Sequence, residues 1–412
     1  MITERMMKSY VALAVRSGVN IQKGQLLVIS APVEAYAFAR LCQEEAYAAG
    51  AGEVLIQYED QYARRANIMH ESKDLLKKVP AWMIERRKEV QERGCAFLYI
   101  DSDDPELMQS VDPKRLSAAM TAMRKAMKPY QSYTMNNIGQ WCVLAIPNPA
   151  WAAKIYPDEP EKRAVEFLWK AILQASRVTD RNDPIEVWQK HVEEIRSHCR
   201  VMNQYAFRSL HFVSELGTDL TVQLPEGHIW GGGDEVASGN GCRFNPNIPT
   251  EEVFTTPDRR HVDGIVYSSK PLCYNGRMIE EFWLKFRDGE VIDFHAKAGN
   301  ETLREILESD AGSKRLGEVA LISYHSPISE LNMLFYDTLF DENASCHLAL
   351  GASYPTQLKG GAEMSERALI SHGGNVSSVH VDFMFGTRLL NVTGITGTGS
   401  EIQVFQHGNF MF

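Results

Sequence analysis

An imidazole and a carboxylate stand two residues apart near the end of the chain, in the segment Ser378-Val-His-Val-Asp-Phe-Met-Phe385. The β-branched and aromatic residues around them predict a strand, in which residues two apart share a face. His380 and Asp382 therefore point the same way, and such a pair suits a borderline divalent ion such as zinc. A His-x-Asp pair is common, and taken alone it fits the polar face of an edge strand better than a metal site.

A second pair lies in Thr338-Leu-Phe-Asp-Glu-Asn-Ala-Ser-Cys-His-Leu-Ala-Leu-Gly351. Asp341 as an N-cap and Gly351 as a stop predict one short helix, with Glu342 in its first turn and His347 farther along. A step of five residues turns about 140° around an α-helix, so these two side chains would not share a face. The spacing argues against Glu342 as a metal ligand, and His347 alone is typical of an ordinary helix histidine.

Three further places hold reactive groups. Glu318 opens a predicted buried strand, where α/β enzymes often place functional residues. Glu251 and Glu252 face opposite ways if their proline-flanked segment is extended. Tyr354 precedes a proline, which favours extended backbone, and its hydroxyl could donate to a developing oxyanion. An ordinary charged strand end and a polar loop also explain the glutamates, and a packing or surface role explains Tyr354 better than catalysis does. The residues alone therefore indicate no more than a candidate metal hydrolase.

The elements that must position these residues follow two patterns. In the first half, short apolar runs alternate with helical spacing, which predicts a wound, largely parallel α/β sheet. The predicted strands are 25–30, 53–58, 95–100 and 141–146. A long helical stretch covers about 159–202 and is interrupted near 180–184. Beyond it glycine becomes frequent, and the segments 207–224, 261–271, 277–287 and 290–296 alternate as antiparallel strands do.

The change of pattern predicts two domains with a boundary near residue 200. Residues 1–200 form an N-terminal α/β domain, and residues 201–412 form a mixed α/β domain that carries the chemistry. Histidine usage supports this division, because nine of the 12 histidines follow residue 200. Two glycine-rich runs, at 231–233 and 394–399, lack the context of a phosphate-binding loop or a dinucleotide fold and are interpreted as loop glycines.

Composition excludes several classes of protein. Hydrophobic residues make up 44% of the 412 residues, charged residues make up 23%, and the net charge is −10. Lys and Arg are scattered, so we expect no nucleic-acid partner. No run of about 18 apolar residues occurs, so we expect no membrane span. The seven cysteines include no Cys-x-x-Cys, and the first residues do not read as a signal peptide, which together predict reduced thiols in the cytoplasm.

Three blocks make the sequence recognisable, and the similarity runs over essentially the whole chain. It resembles the metallopeptidase family of aminopeptidase S and aminopeptidase T, often called thermophilic aminopeptidases. The blocks are Ile248-Pro-Thr-Glu-Glu-Val-Phe-Thr255, Leu339-Phe-Asp-Glu-Asn-Ala-Ser-Cys-His-Leu-Ala-Leu-Gly351 and Val379-His-Val-Asp-Phe-Met384. Long blocks in the same order are far more specific than any three-residue pattern.

The resemblance implies a set of site residues. The metal ligands of the family fall on Glu252, Glu318, Glu342, His347, His380 and Asp382, with Glu342 weakened by the helix argument above. The active-site tyrosine falls on Tyr354, and Glu252 or Glu318 is implied as the proton-transfer group.

An activity also follows from the resemblance. It implies an aminopeptidase that hydrolyses the N-terminal residue from short peptides with a hydroxide shared by two divalent metal ions per subunit. Zinc, cobalt, manganese and magnesium all remain open as the native metal. The resemblance further implies a homodimer.

Two alternatives stay open. His347, His380 and Asp382 could form a facial triad for a single non-haem iron, which would make the protein a ring-cleaving oxygenase. The extra glutamates and Tyr354 argue against this, since a mononuclear iron site does not need them. The other alternative is a non-catalytic relative that only binds peptides, and the complete ligand set argues against it.

Overall fold

The computed structural model describes residues 2–274 and 276–412. Contacts within the chain form two compact units, of which the first comprises Met1–Gln189 and Asp234–Pro249 and the second comprises Lys190–Gly233 and Thr250–Phe412. In the part of the chain that is described, no helix combines the length and the apolar character needed to cross a bilayer.

The α-helices are α1 (Glu4–Ala12), α2 (Tyr36–Ala48), α3 (Gln61–His70), α4 (Lys73–Leu76), α5 (Ala81–Glu92), α6 (Pro113–Met135), α7 (Pro149–Ile155), α8 (Glu161–Ala175), α9 (Pro184–Tyr205), α10 (Asn300–Leu307), α11 (Thr338–Asn343) and α12 (Glu366–Ser371). The strands are β1 (Leu26–Pro32), β2 (Glu53–Glu59), β3 (Ala96–Asp101), β4 (Trp141–Ala145), β5 (Ser209–Val213), β6 (Asp219–Gln223), β7 (Glu235–Val236), β8 (Arg243–Phe244), β9 (Asn247–Ile248), β10 (Val253–Thr255), β11 (Val262–Tyr267), β12 (Leu272–Tyr274), β13 (Arg277–Arg287), β14 (Glu290–Ala298), β15 (Leu316–Leu321), β16 (His347–Gly351), β17 (His380–Met384), β18 (Asn391–Ile395), β19 (Glu401–Gln406) and β20 (Asn409–Phe410).

A parallel five-stranded sheet, in the order β2-β1-β3-β4-β9, organises the first unit. Its four long strands coincide with the four predicted apolar runs to within two residues. The inner strands are buried on both faces, as the continuous apolar sequences of β1 and β3 require. The predicted wound parallel sheet is confirmed.

Two antiparallel sheets organise the second unit. The larger contains nine strands, in the order β12-β13-β11-β6-β5-β18-β19-β20 with β14 paired to β13. The smaller contains four, in the order β10-β15-β16-β17. Side chains of both sheets share one core cluster, which includes Phe212, Phe282, Leu348 and Phe383. The predicted change from parallel to mixed and antiparallel structure is therefore confirmed.

The single helix predicted from Asp341 to Gly351 is wrong. Helix α11 ends at Asn343, and His347 begins β16. Strand β16 lies between β15 and β17 and is buried throughout, so pairing on both sides overrides the helical propensity of its Leu and Ala residues. Asp341 is not an N-cap but lies inside α11, where its carboxylate accepts hydrogen bonds from the N–H groups of Phe335 and Asp337.

Candidate metal centre

Three neighbouring strands of the smaller sheet carry most of the candidate ligands. In the antiparallel register Glu318 on β15 and Asp382 on β17 both lie opposite Ala349 on β16. The methyl side chain of Ala349 leaves room above the middle strand, so the two carboxylates can approach one another. His347 lies two residues before Ala349 on the same face, and His380 lies opposite Gly351.

Glu318 lies at the centre of this group. One of its carboxylate oxygens is 3.4 Å from Nε2 of His347, and the other is 3.2 Å from Nε2 of His380. Nε2 of His380 is also 3.3 Å from Oδ1 of Asp382. Two groups of potential ligand atoms therefore share Glu318, and within each group the atoms lie within 4.8 Å of one another. The first group is Glu252, Glu318 and His347, and the second is Glu318, His380 and Asp382.

Glu252 reaches the site from the residue before β10. Its carboxylate lies 3.5 Å from Nε2 of His347. The neighbouring Glu251 turns the other way, towards His191 at 3.6 Å, as an extended backbone requires. Gly232 packs behind Glu252, and a Cβ on Gly232 would lie 2.1 Å from the Glu252 carbonyl oxygen. The glycine run at 231–233 thus permits a close backbone approach behind a candidate ligand.

Both imidazoles are oriented from behind by backbone carbonyls. Nδ1 of His347 is 3.0 Å from the carbonyl oxygen of Glu342, and Nδ1 of His380 is 2.7 Å from that of Ala352. A carbonyl can only accept, so each Nδ1 carries a hydrogen and donates it. The lone pair of a neutral imidazole is then on Nε2, facing the carboxylates, which is the usual arrangement behind a metal-binding histidine.

Glu342, on α11, is influenced by the charges of the same acids. The spacing argument against it fails because His347 is on a strand rather than on the helix of Glu342. Burial and then the charge of Asp382 raise the pKa of Glu342 well above its usual value, with further contributions from Glu252 and Glu318. The Glu342 carboxyl therefore lies within the field of the other acids.

Tyr354 stands beside the second group. Its ring packs edge-on against the imidazole of His380, with centroids 5.0 Å apart. The His380 cation lowers the pKa of Tyr354, but burial and the surrounding carboxylates outweigh it and raise the pKa. The hydroxyl therefore keeps its proton at neutral pH and remains a hydrogen-bond donor.

The electrostatics of the site are dominated by buried negative charge. Burial and the nearby Glu318 raise the pKa of Glu252 to about 8. Burial lowers the pKa of His347, but the carboxylates of Glu318, Asp382 and Glu252 outweigh it and raise that pKa to about 10. The carboxylates thus attract positive charge strongly, as a site for cations does.

These residues fit divalent metal ions. Oδ1 of Asp382 is buried and accepts no well-formed hydrogen bond from the described residues, although Nε2 of His380 is 3.3 Å away. When the His380 ring is neutral with its hydrogen on Nδ1, both atoms present lone pairs, and a cation would satisfy both. The donors are imidazole nitrogens and carboxylate oxygens, a set that binds zinc and cobalt as well as harder ions.

Two buried residues near the site are not singled out by the sequence reasoning, although Asn343 lies within the second of the three recognisable blocks. Asn343 is fully buried and accepts a hydrogen bond from the N–H of Glu251. His191, on α9, lies 2.7 Å from the carbonyl oxygen of Thr250. Both act on the backbone beside Glu252, and contacts of this kind depend on long-range folding that no local spacing reveals.

Comparison with known proteins shows the family of the chain. Residues 3–410 match the thermophilic metalloprotease family, M29. The chain belongs to this family. Membership in M29 confirms the resemblance to aminopeptidases S and T and places the chain among metal-dependent peptidases.

Several curated M29 relatives align over nearly their whole length. Aminopeptidase 2 of Geobacillus stearothermophilus is 42% identical, with 99% of this chain and 98% of the relative covered. Aminopeptidase AmpS of Bacillus subtilis is 40% identical, with 98% of each chain covered. The solved structure of wild-type AmpT from Thermus thermophilus superposes with a TM-score of 0.93 at 36% identity, covering 99% of this chain and 100% of AmpT.

A more distant likeness concerns the fold alone. The structure of 2,5-dihydroxypyridine dioxygenase from Pseudomonas putida KT2440 gives a TM-score of 0.52 at 11% identity, with 99% of this chain and 96% of the dioxygenase covered. At this identity the similarity says nothing about the chemistry of the M29 chain.

Metal affinity should rise with pH. Glu252, with a pKa of about 8, and His347, with a pKa of about 10, hold protons in the metal-free site at neutral pH. A binding ion must displace those protons, so affinity should increase about tenfold per pH unit for each proton released. Calorimetric titration of metal-free protein with Co²⁺ between about pH 6 and pH 8, in two buffers of different ionisation enthalpy, measures the affinity and the number of protons released. A constant affinity over this range, with no proton release, would contradict the assignment of Glu252 and His347 as metal ligands.

Proposed function

We propose that this protein is a metallo-aminopeptidase that removes the N-terminal residue from short peptides with two divalent ions in each subunit. M29 membership and the names of the curated relatives support the peptidase and aminopeptidase activity. The observation that carries the number of ions is the pair of ligand groups that meet at Glu318.

In this proposal Glu252, Glu318 and His347 hold one ion, and Glu318, His380 and Asp382 hold the other. Glu342 adds a fourth carboxylate to the site, so four negative charges offset the four positive charges of two divalent ions. Bound divalent ions supply Lewis-acid polarisation of a carbonyl and lower the pKa of water towards neutrality. Zinc, cobalt, manganese and magnesium are all compatible with these donors.

The contacts of Glu318 and Glu252 suggest different roles for the two carboxylates. Glu318 has each oxygen against a different imidazole, so it is fixed between the two groups. Glu252 has one oxygen against His347, which leaves its other oxygen available to take and return a proton. We therefore assign the proton transfer to the leaving amine to Glu252.

We assign to Tyr354 the stabilisation of the transition state. Its protonated hydroxyl can donate to the oxygen of the scissile carbonyl as negative charge develops there. His380, against which the Tyr354 ring packs, keeps 24% of its side chain exposed, whereas His347 is 1% exposed. We therefore propose that the peptide enters from the side of His380 and Tyr354.

The cellular setting is also a proposal. The cysteines of the structure are free thiols, and five of the seven are buried, which suits a reducing compartment such as the cytoplasm. The homodimer implied by the family resemblance stays a prediction.

A single-iron oxygenase is the competing function. It would use His347, His380 and Asp382 and would leave the carboxylates of Glu252, Glu318 and Glu342 without a task. Four carboxylates around one iron(II) carry more negative charge than the ion neutralises, so the site geometry favours two ions.

Metal counting tests the proposed function directly. We expect elemental analysis of the purified protein to give two divalent ions per subunit, and a panel of di- and tripeptides with free N-termini to be hydrolysed. Peptides with an acetylated N-terminus should be inert. One iron per subunit with oxygen uptake on an aromatic substrate would replace the peptidase with the oxygenase.

Replacing His380 or Asp382 by Ala should abolish turnover of a leucine chromogenic amide, because each change removes a ligand from the second group. The exposed pair His211 and Asp219, 2.8 Å apart on β5 and β6, provides matched controls. His211→Ala and Asp219→Ala should keep full activity. Circular dichroism checks the fold of all four variants, and a folded His380→Ala protein with a wild-type rate argues against the site.

Tyr354→Phe should lower kcat by about 10²–10³-fold and leave KM nearly unchanged, because only the transition state accepts the hydrogen bond. The phenyl ring keeps the packing against His380, so the metal content should not change. Steady-state kinetics on the leucine amide measures the effect. An unchanged kcat would remove Tyr354 from the mechanism.

A further inference from the structure

A buried amide joins two segments that carry candidate ligands. Asn343, the last residue of α11, has no exposed surface. Its Oδ1 accepts from the backbone N–H of Glu251 at 2.8 Å, and its Nδ2 donates to the carbonyl oxygen of Leu339 at 2.8 Å. Both ends of the side chain are therefore bound to backbone groups of different segments.

The partners of Asn343 are immediate neighbours of the site. Glu251 precedes Glu252, and Asn343 itself follows Glu342, whose carbonyl oxygen accepts from Nδ1 of His347. Two hydrogen bonds, joined by the Glu342–Asn343 peptide bond, thus connect the segment of Glu252 to the ring of His347. The connection links a loop, the end of helix α11 and the start of strand β16.

An asparagine suits this place for a chemical reason. The position needs one acceptor for the Glu251 N–H and one donor for the Leu339 carbonyl, and a short amide supplies both. An aliphatic side chain supplies neither, and loss of the acceptor leaves the buried N–H of Glu251 unsatisfied. The Glu252 backbone is then free to move away from His347.

We propose that Asn343 is a positioning residue that holds the segment of Glu252 in register with Glu342 and His347 and so sets the affinity of the site for its ions. This inference rests on the proposed metal site. It assigns Asn343 no contact with substrate or metal, because both hydrogen bonds of its amide go to backbone groups.

Cobalt binding tests the proposal without relying on activity. Full-length protein is stripped with a chelator and titrated with Co²⁺ by calorimetry, and the visible absorption of the bound cobalt is recorded. We expect Asn343→Ala to weaken the binding by about 10–100-fold, the usual loss when a group that orients a ligand is removed. The cobalt band should shift as well, since the position of Glu252 changes.

Asn148→Ala is the matched control. Asn148 is also buried, and its amide likewise joins two backbone groups, accepting from the Trp151 N–H and donating to the Ser102 carbonyl. It belongs to the first unit and contacts none of the candidate ligands. We expect Asn148→Ala to lower the melting temperature while cobalt affinity and spectrum stay as in the wild type.

The outcomes separate the inference from the proposed function. A wild-type protein that binds no Co²⁺ overturns both. A wild type that binds two ions, with an Asn343→Ala variant of equal affinity and spectrum, overturns only the role of Asn343. If Asn343→Ala does not fold, Asn343→Ser leaves a smaller void, and its short hydroxyl cannot span the distance to Glu251. The same weakening is then expected of it, and wild-type affinity in that variant rejects the proposal.

Discussion

The accumulation of buried carboxylates governs the smaller sheet of the second unit. Glu252, Glu318 and Asp382 converge, and their charges reach Glu342; among the described residues, the imidazoles of His347 and His380 oppose this negative charge. Like charges at this depth repel strongly and raise one another's pKa values, so the arrangement is tolerable only with protons or cations between them. The hydrogen-bonded pairing of β10, β15, β16 and β17 holds the backbones beside Glu252, Glu318 and Asp382 together against that repulsion.

Small residues make the convergence possible. Ala349 and Gly351 occupy the positions of β16 that face Glu318, Asp382 and His380, where larger side chains would fill the space needed by an ion. Gly351 also has a φ of 108°, and a Cβ there would lie 2.0 Å from the Val379 carbonyl oxygen. On this face β16 contributes one candidate ligand, His347, and two small residues, Ala349 and Gly351, that leave space for the side chains of the neighbouring strands.

The sequence predicts some of this architecture and not the rest. The parallel sheet follows from continuous apolar runs, and the shared face of His380 and Asp382 follows from the period of a strand. His347 was misplaced because Leu and Ala favour helices locally, whereas its strand is determined by partners about 30 residues away on either side. The same error led to the argument against Glu342. The proximity of Glu252 and Glu318 comes from pairing across β10 and β15, and the position of Asn343 comes from packing; no local pattern encodes either.

Glu318 has a further consequence. Because Glu318 belongs to both ligand groups, a single side-chain conformation has to serve the two groups together. If two ions bind as proposed, both depend on the same Glu318 carboxylate, so loss of this one side chain would remove a ligand from each ion at once. The two ligand groups therefore cannot vary independently at this position.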